Sequence, residues 1–382
     1  MLKVQEYLRS GKTLQDLEND YGITNRITNN KVALKYSQIA SPMGEEICQE
    51  CRGLILENET WNIIAYPFRK FFNSEEGHSA KLDWKTTRVL EKIDGSNVNL
   101  FNYKDEWFFA THNVPEADIP LDIGLTFAEL ARMALVDMGL SFYSPFTNKL
   151  NPNYTYMFEL TSPYSQVYIR YEEPSLTLLG VRDNISLKEL PINDISAQIG
   201  IPTPKEYPLS SLQEIIAMVN SWKGDEQEGV VLIDGNFNRV KVKNINYVTG
   251  QAIVFSLSAS DRNIMRLIML GSDDDVFAKC PSLIQEKISL FKGKLADLIK
   301  ETKSDYAEMK DIEDMKEYAA IALKKRWKAI LFGLKRGKVL SIETYLKENA
   351  EGNGAVDTIL ELCGLIKKGE CRSSLQEMFE LK

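Results

Sequence analysis

The chain has no apolar stretch long enough to cross a bilayer, only five cysteines and two histidines, and no surplus of positive charge, since 46 lysines and arginines stand against 54 acidic residues. Each shortage closes off a class. The opening Met1-Leu2-Lys3-Val4-Gln5-Glu6 carries charge instead of the apolar core of a secretory signal, so a cytoplasmic protein is expected, or one in the host cytoplasm if a phage encodes it. An odd number of cysteines does not make a disulfide framework. Cys48-Gln49-Glu50-Cys51 has the spacing of a metal knuckle, but no second pair follows, which leaves partly buried free thiols as the expectation. A formal net charge of −8 argues against indiscriminate binding of nucleic acid, because phosphate affinity depends on neutralising cations. Any polyanion must therefore meet a local patch. Residues 321–340 supply one, with Lys324, Lys325, Arg326, Lys328, Lys335, Arg336 and Lys338 and no acidic residue, although such a run taken alone is a solvated helix face.

What is present divides the chain in two. Between about residues 31 and 255, short alternating or apolar segments recur between turn residues, among them Val32 to Tyr36, Gly53 to Glu57, Asn97 to Tyr103, Tyr154 to Leu160, Gly229 to Ile233 and Arg239 to Val242. These predict strands of antiparallel sheets. Two helical patterns interrupt them, Phe127 to Leu140 and Ser210 to Trp222. After Gly250 the periodicity is helical throughout, with a long segment expected from Ile312 to Leu334. The predicted architecture is α+β, with antiparallel sheets and flanking helices over 1–255 and an all-helical domain over 256–382. The first thirty residues read as a short helix with a polar loop.

Lys92 lies in Val89-Leu90-Glu91-Lys92-Ile93-Asp94-Gly95-Ser96, at the end of one apolar segment and just before another. Asp94-Gly95 predicts a tight hairpin, because both residues tolerate positive φ. Other segments carry complementary chemistry. Glu228 precedes a glycine and a strand, a position from which a carboxylate can coordinate a metal. Lys241 and Lys243 share one face of a strand, where they repel each other unless an anion lies between them, or else protect an exposed edge. Glu159 sits among aromatic and apolar residues and needs a partner if buried. Arg52 beside Gly53, and Arg69-Lys70-Phe71-Phe72, place cations next to small or aromatic residues, which suits phosphate contact and base packing. Together these groups ask for a polyphosphate with a metal and a purine, approached by a lysine amine. That amine must lose its proton before attacking phosphorus, and neighbouring cations and desolvation favour the loss.

In this order, Arg52-Gly53, Lys70-Phe71-Phe72-Asn73, Lys92-Ile93-Asp94-Gly95-Ser96, Glu159, Glu228-Gly229 and Lys241-Val242-Lys243 resemble the nucleotidyltransferase motifs of covalent ligases, and most of all the phage RNA ligase 1 family. The resemblance spans roughly residues 32 to 275. It implies a nucleotidyltransferase domain in which Lys92 becomes adenylated, with ATP and magnesium, or manganese in its place, as cofactors. Tyr36, Arg52, Lys70, Phe72, Asp94 and Gly95 would contact the nucleotide, with Glu159 on its ribose side. Lys241 and Lys243 would hold phosphates, Tyr247 would serve ligation, and Glu228 and Asp273 would place the metal, although helix capping by Asp273 is a rival reading. The implied partner is RNA with 5′-phosphate and 3′-hydroxyl ends, such as a broken transfer RNA loop, and the implied state a monomer. One departure stands out: the family's lysine in the strand after the nucleophile is replaced by Thr111 or His112, and the charge of His112 would follow pH. Two alternatives remain open. A capping guanylyltransferase uses the same lysine with GTP, but usually adds a small β-barrel where this chain turns helical. A non-sealing RNA-binding homologue would keep the fold without the missing lysine.

Overall fold

A computed structural model of the chain describes residues 1–367 apart from 38–39, 122, 144–145, 259, 271–281 and 351. It divides into two units, Met1–Thr249 and Gly250–Lys382. The boundary expected at 255/256 falls inside the helix Ile245–Ser258, which runs from the first unit into the second. Asp273, expected at a metal site, lies outside the described residues.

The first sheet joins β1 (Ile23–Thr28), β2 (Lys31–Tyr36), β3 (Arg52–Glu57) and β4 (Ile63–Ala65) in that order. Its two inner strands are buried on both faces. Val32, Leu34, Leu54 and Leu56 pack with Val4 and Leu8 of the N-terminal helix Lys3–Arg9, while Ala33 and Ile55 pack with Phe101 and Ala110 of the next sheet. The polar loop expected in the first thirty residues is therefore replaced by a second helix, Leu14–Tyr21, and by β1. Thr13 and Asp16 form the capping box of that helix.

The remaining strands are β5 (Phe72–Asn73), β6 (Arg88–Lys92), β7 (Ser96–Tyr103), β8 (Glu106–Ala110), β9 (Tyr154–Thr161), β10 (Ser175–Asp183), β11 (Glu189–Leu190), β12 (Glu206–Tyr207), β13 (Gly229–Ile233) and β14 (Arg239–Lys243). They build two five-stranded sheets, ordered β11-β10-β9-β7-β8 and β12-β6-β13-β14-β5. All pairs are antiparallel except β14 with β5. The helix Phe127–Asp137 covers the former sheet with Leu130, Ala131, Ala134 and Leu135. The helix Leu212–Ser221 covers the latter with Ile215 and Val219, which meet Val89, Val230, Leu232, Val240 and Val242. Because strand side chains alternate, this packing turns Lys92, Val231, Lys241 and Lys243 to the opposite face. The burial pattern thus decides where the lysines point.

Two expectations are corrected here. Strands β6 and β7 do not form a hairpin, since β6 pairs with β12 and β13 while β7 pairs with β8 and β9. Neither Asp94 nor Gly95 has positive φ. Gly95 is required for a different reason: a Cβ there would lie 2.5 Å from the Leu160 carbonyl oxygen, so only glycine lets the crossing chain pass β9. Nor is β14 an outer strand over its first half, where β5 covers Val240 and Lys241.

The second unit is helical over its described residues, with helices Asp261–Leu270, Ser282–Met309, Met315–Ala322, Lys328–Lys335, Ile342–Asn349 and Asn353–Leu362. The single helix expected from Ile312 to Leu334 is two. Asp314 caps the first of them, and Tyr318 donates to the Leu331 carbonyl at 2.8 Å, folding one against the other. Among the described residues no helix is long and apolar enough to cross a membrane. Cys48, Cys51 and Cys363 are free and buried.

Candidate active site

The site grows from one row of the third sheet. Lys92 ends β6 opposite Gly229 of β13, which in turn faces Lys243 of β14. Gly229 has φ +152°, and a Cβ there would meet the Val242 carbonyl oxygen at 2.3 Å, so no larger residue fits between the two lysines. The preceding Glu228 is buried, with one carboxylate oxygen 2.7 Å from Lys92 Nζ and the other 3.0 Å from Lys243 Nζ. One carboxylate thus bridges two ammonium groups. Lys241, two residues away on the same face, has no such bridge. Burial pushes it down from 10.5 to about 7, and the nearby charges of Lys70, Arg52, Lys92 and Lys243 push the same way.

Across the cleft stand Arg52 from β3 and the segment before β5. The Arg52 guanidinium lies 5.5 Å from the Phe71 ring, and Lys70 Nζ lies 5.5 Å from Tyr36 and 5.3 Å from Phe72. Burial lowers Arg52 from its usual range, and one of its terminal nitrogens has no hydrogen-bond partner. Glu159 on β9 is raised to about 7, first by burial and also by Glu228 and Asp94, against the opposing pull of Lys92 and Arg52. These residues enclose a cleft of about 520 Å³, lined by Arg52, Phe71, Lys92, Glu159, Lys241 and Lys243 among others. A second hollow of about 360 Å³ shares Arg52, His112 and Lys241 with it and adds Lys35, Tyr36 and Lys70. No carboxylate lines that lobe. The arrangement can therefore accept an apolar, planar group with a hydroxylated ring on one side and a polyanion on the other.

Asp94, expected to touch the nucleotide, does something else. One of its oxygens accepts the backbone N–H groups of Tyr168 at 3.0 Å and Ile169 at 2.6 Å, and the other accepts the Tyr247 hydroxyl at 2.7 Å. Buried between them, it locks the crossing from β6 to β7 that carries Lys92. Tyr247 is likewise buried, and its phenol is pushed well above its usual range by burial and by the nearby carboxylates. Lys243 Nζ stands 5.6 Å above its ring. Phe72 is buried beside His78 and lines a separate cavity, so the aromatic lining of the main cleft comes from Phe71 with Phe68 and Phe127. Gly95 lines the cleft. His112 does not follow pH near neutrality. Burial, with Arg52 and Lys35 nearby, holds it well below 6.5, so it is uncharged, and its Nε2 has no partner.

Sequence reasoning missed Lys35, Asn97, Leu179 and Val231 as cleft residues. Only the parity of β13 and β14 could have pointed to Val231. Lys35 adjoins Tyr36, but nothing local marks it as turned to a ligand.

Residues 50–247, more than half of the chain, match the family model described as RNA ligase. The chain belongs to the phage-type RNA ligase 1 family. It is 28% identical over 301 residues to a protein of Autographa californica nuclear polyhedrosis virus described as a bifunctional polynucleotide kinase/RNA ligase, covering 74% of this chain and 42% of that one. It is also 28% identical over 172 residues to an RNA ligase of Rhodothermus phage RM378, covering 35% of this chain and 36% of that one. The chain thus spans less than half the length of these curated relatives. Among solved structures, an archaeal ATP-dependent RNA ligase matches at 15% identity over 88% of this chain and 77% of its own, with a TM-score of 0.42. A Naegleria gruberi RNA ligase mutant with ATP and Mn matches at 14% identity over 44% of this chain and 52% of its own, with a TM-score of 0.35.

Proposed function

We propose that the protein is an ATP-dependent RNA ligase that joins a 5′-phosphate to a 3′-hydroxyl through a lysyl-AMP intermediate. The observation that carries this is the Lys92 amine held 2.7 Å from a buried carboxylate, lining a cleft whose second lobe holds Lys35, Arg52, Lys70 and Lys241 and no carboxylate. Lys92 Nζ attacks the α-phosphorus of ATP, an N–P bond forms, and the bond to the bridging oxygen breaks as pyrophosphate leaves. Glu228 is in place to receive the lysine proton while it keeps its contact with Lys243. Arg52, Lys70 and Lys241 stabilise the charge that gathers on the departing oxygens. AMP then passes to the RNA 5′-phosphate, and a 3′-hydroxyl displaces it.

A divalent ion would neutralise phosphate charge here. Among the described residues no three metal-ligating side chains cluster, yet Glu159 and Glu228 lie close enough to Lys92 to couple with it, and one or two carboxylates with phosphate oxygens suit magnesium. The substrate in this reading is a structured RNA such as a broken transfer RNA loop, in the cytoplasm or a host's cytoplasm. The helical unit supports it through exposed Lys324, Lys328 and Lys338. The test is circularisation of a 5′-phosphorylated single-stranded RNA with ATP. A product with ATP and none with GTP is expected, whereas label accepted from GTP alone would favour capping chemistry and adenylation without circles a non-sealing homologue.

A further inference from the structure

The face of β14 that bears Lys241 and Lys243 carries a third cation, Arg239, whose place in the row follows from the same alternation. Strand rise sets successive members of this row about 6.6 Å apart. Arg239 does not end in solvent. It is buried beside Arg182, and both guanidiniums share a single carboxylate, Glu189. Arg182 donates to Glu189 Oε1 at 2.7 Å and Arg239 donates to the same oxygen at 2.9 Å, while the second terminal nitrogen of Arg239 lies 2.6 Å from Glu189 Oε2 in an ion pair. Each guanidinium also lies 4.3 Å from an aromatic ring, Arg182 over Tyr66 and Arg239 over Phe68. This buried trio has two positive charges and one negative, which is costly unless a further anion completes it. Arg182 Nε, moreover, has no hydrogen-bond partner.

A cavity of about 230 Å³ opens beside the trio, lined by Arg182, Glu189, Arg239, Arg69, Lys70 and Phe72 among others. Lys70 is shared with the cationic lobe of the nucleotide cleft. The positive row thus continues from Lys243 through Lys241 to a second chamber. A role confined to tying β10, β11 and β14 together would need one guanidinium per carboxylate and no cavity rimmed by further cations. We infer that this second chamber is a binding subsite for a phosphoryl group, continuing the phosphate path beyond the nucleotide cleft. The bidentate fork of arginine suits such a group, and aromatic rings behind each guanidinium hold the forks in place. Two sources offer the same chemistry: the distal phosphates of the nucleotide, and the 5′-phosphate of an RNA strand. The inference rests on the reading of the neighbouring cleft as a nucleotide site.

The test uses the full-length Lys92→Ala protein, in which no chemistry intervenes, alone and with Arg69→Gln or Arg182→Lys added. In the first arm, calorimetry compares affinity for ATP and AMP. In the second, with ATP saturating, it compares a short single-stranded RNA bearing a 5′-phosphate with its 5′-hydroxyl twin. If the chamber takes the nucleotide tail, the ATP-to-AMP affinity ratio falls threefold to tenfold in the variants while AMP affinity stays. If it takes RNA, the preference for the 5′-phosphate falls by that amount and the ATP ratio stays. Arg69 is partly exposed and paired with Glu46, so Arg69→Gln reports even if Arg182→Lys fails to fold. The inference is overturned if folded variants keep both ratios within twofold. Should Lys92→Ala protein bind no nucleotide at all, the reading of the cleft fails separately, and the RNA arm repeated without ATP still decides the chamber.

Discussion

Lys241 is the residue whose ionisation the structure perturbs in the most usable way. Free, it is held near 7 by burial and by four neighbouring cations. A bound polyphosphate favours its charged form, so the bound pKa must rise. Between about pH 7 and the raised value the complex holds more protons than the free protein, and binding takes up to one proton from solution. Nucleotide affinity therefore weakens as pH rises through that window. Calorimetry of ATP binding at pH 8, in two buffers of different ionisation enthalpy, is expected to show proton uptake that disappears in Lys241→Met. Equal apparent enthalpies in both buffers would contradict this assignment. Lys243, the next residue on the same strand face, is reached by Glu228 at 3.0 Å, and Lys241 is not. His112 follows the same logic: buried, and near Arg52 and Lys35, it gives up its charge and leaves the cleft with an uncharged donor or acceptor where the family resemblance implies a lysine.

At the scale of elements, the decisive feature is the three-residue crossing between β6 and β7. Most strands were legible in the sequence because their alternation or apolar content was strong, as in Gly229 to Ile233 and Tyr154 to Leu160. The Asp94-Gly95 pair misled, since local turn chemistry is the same whether the flanking strands pair together or separate into two sheets. Only the packing of Gly95 against Leu160 distinguishes the two, and that contact is remote in sequence. Strand β1 was hidden for a similar reason, as Ile27 is half exposed and its alternation is weak. Arg239 escaped notice as a partner of Lys241 and Lys243 because its carboxylate lies fifty residues away. Gly95→Ala tests the crossing. The added methyl would press on a backbone carbonyl that cannot swing aside, so a loss of about 1–3 kcal/mol is expected in urea unfolding, together with at least tenfold slower adenylation. Unchanged stability and rate would show that the crossing has slack.

For the whole molecule, the net charge of −8 means that the RNA affinity we propose must come from confined patches. The basic run in the helical unit is smaller than its sequence implies. Lys325 is paired with Asp305 at 2.6 Å, Arg326 with Glu301 at 3.1 Å, and Lys335 donates to the Lys310 carbonyl at 2.6 Å. Lys324, Lys328 and Lys338 stay exposed, as does Arg336, whose guanidinium lies 5.5 Å from the Phe332 ring. Replacing the three lysines by glutamine is expected to reduce the slope of log affinity against log salt by about 2, at roughly 0.7 per single-strand phosphate contact, while adenylation of Lys92 continues. Glutamine at Lys325 and Arg326 should change the slope much less. An identical loss from both sets would mean that the internal pairs open on binding.

Everything proposed for the cleft depends on a covalent bond between Lys92 and the α-phosphorus of ATP. Incubation with ATP labelled at that phosphate, followed by denaturation and electrophoresis, measures it directly. Label is expected on the wild-type polypeptide and none on a folded Lys92→Ala variant. Label that persists without Lys92, or a wild-type chain that seals RNA from free ATP without ever carrying it, would show that Lys92 is not the nucleophile.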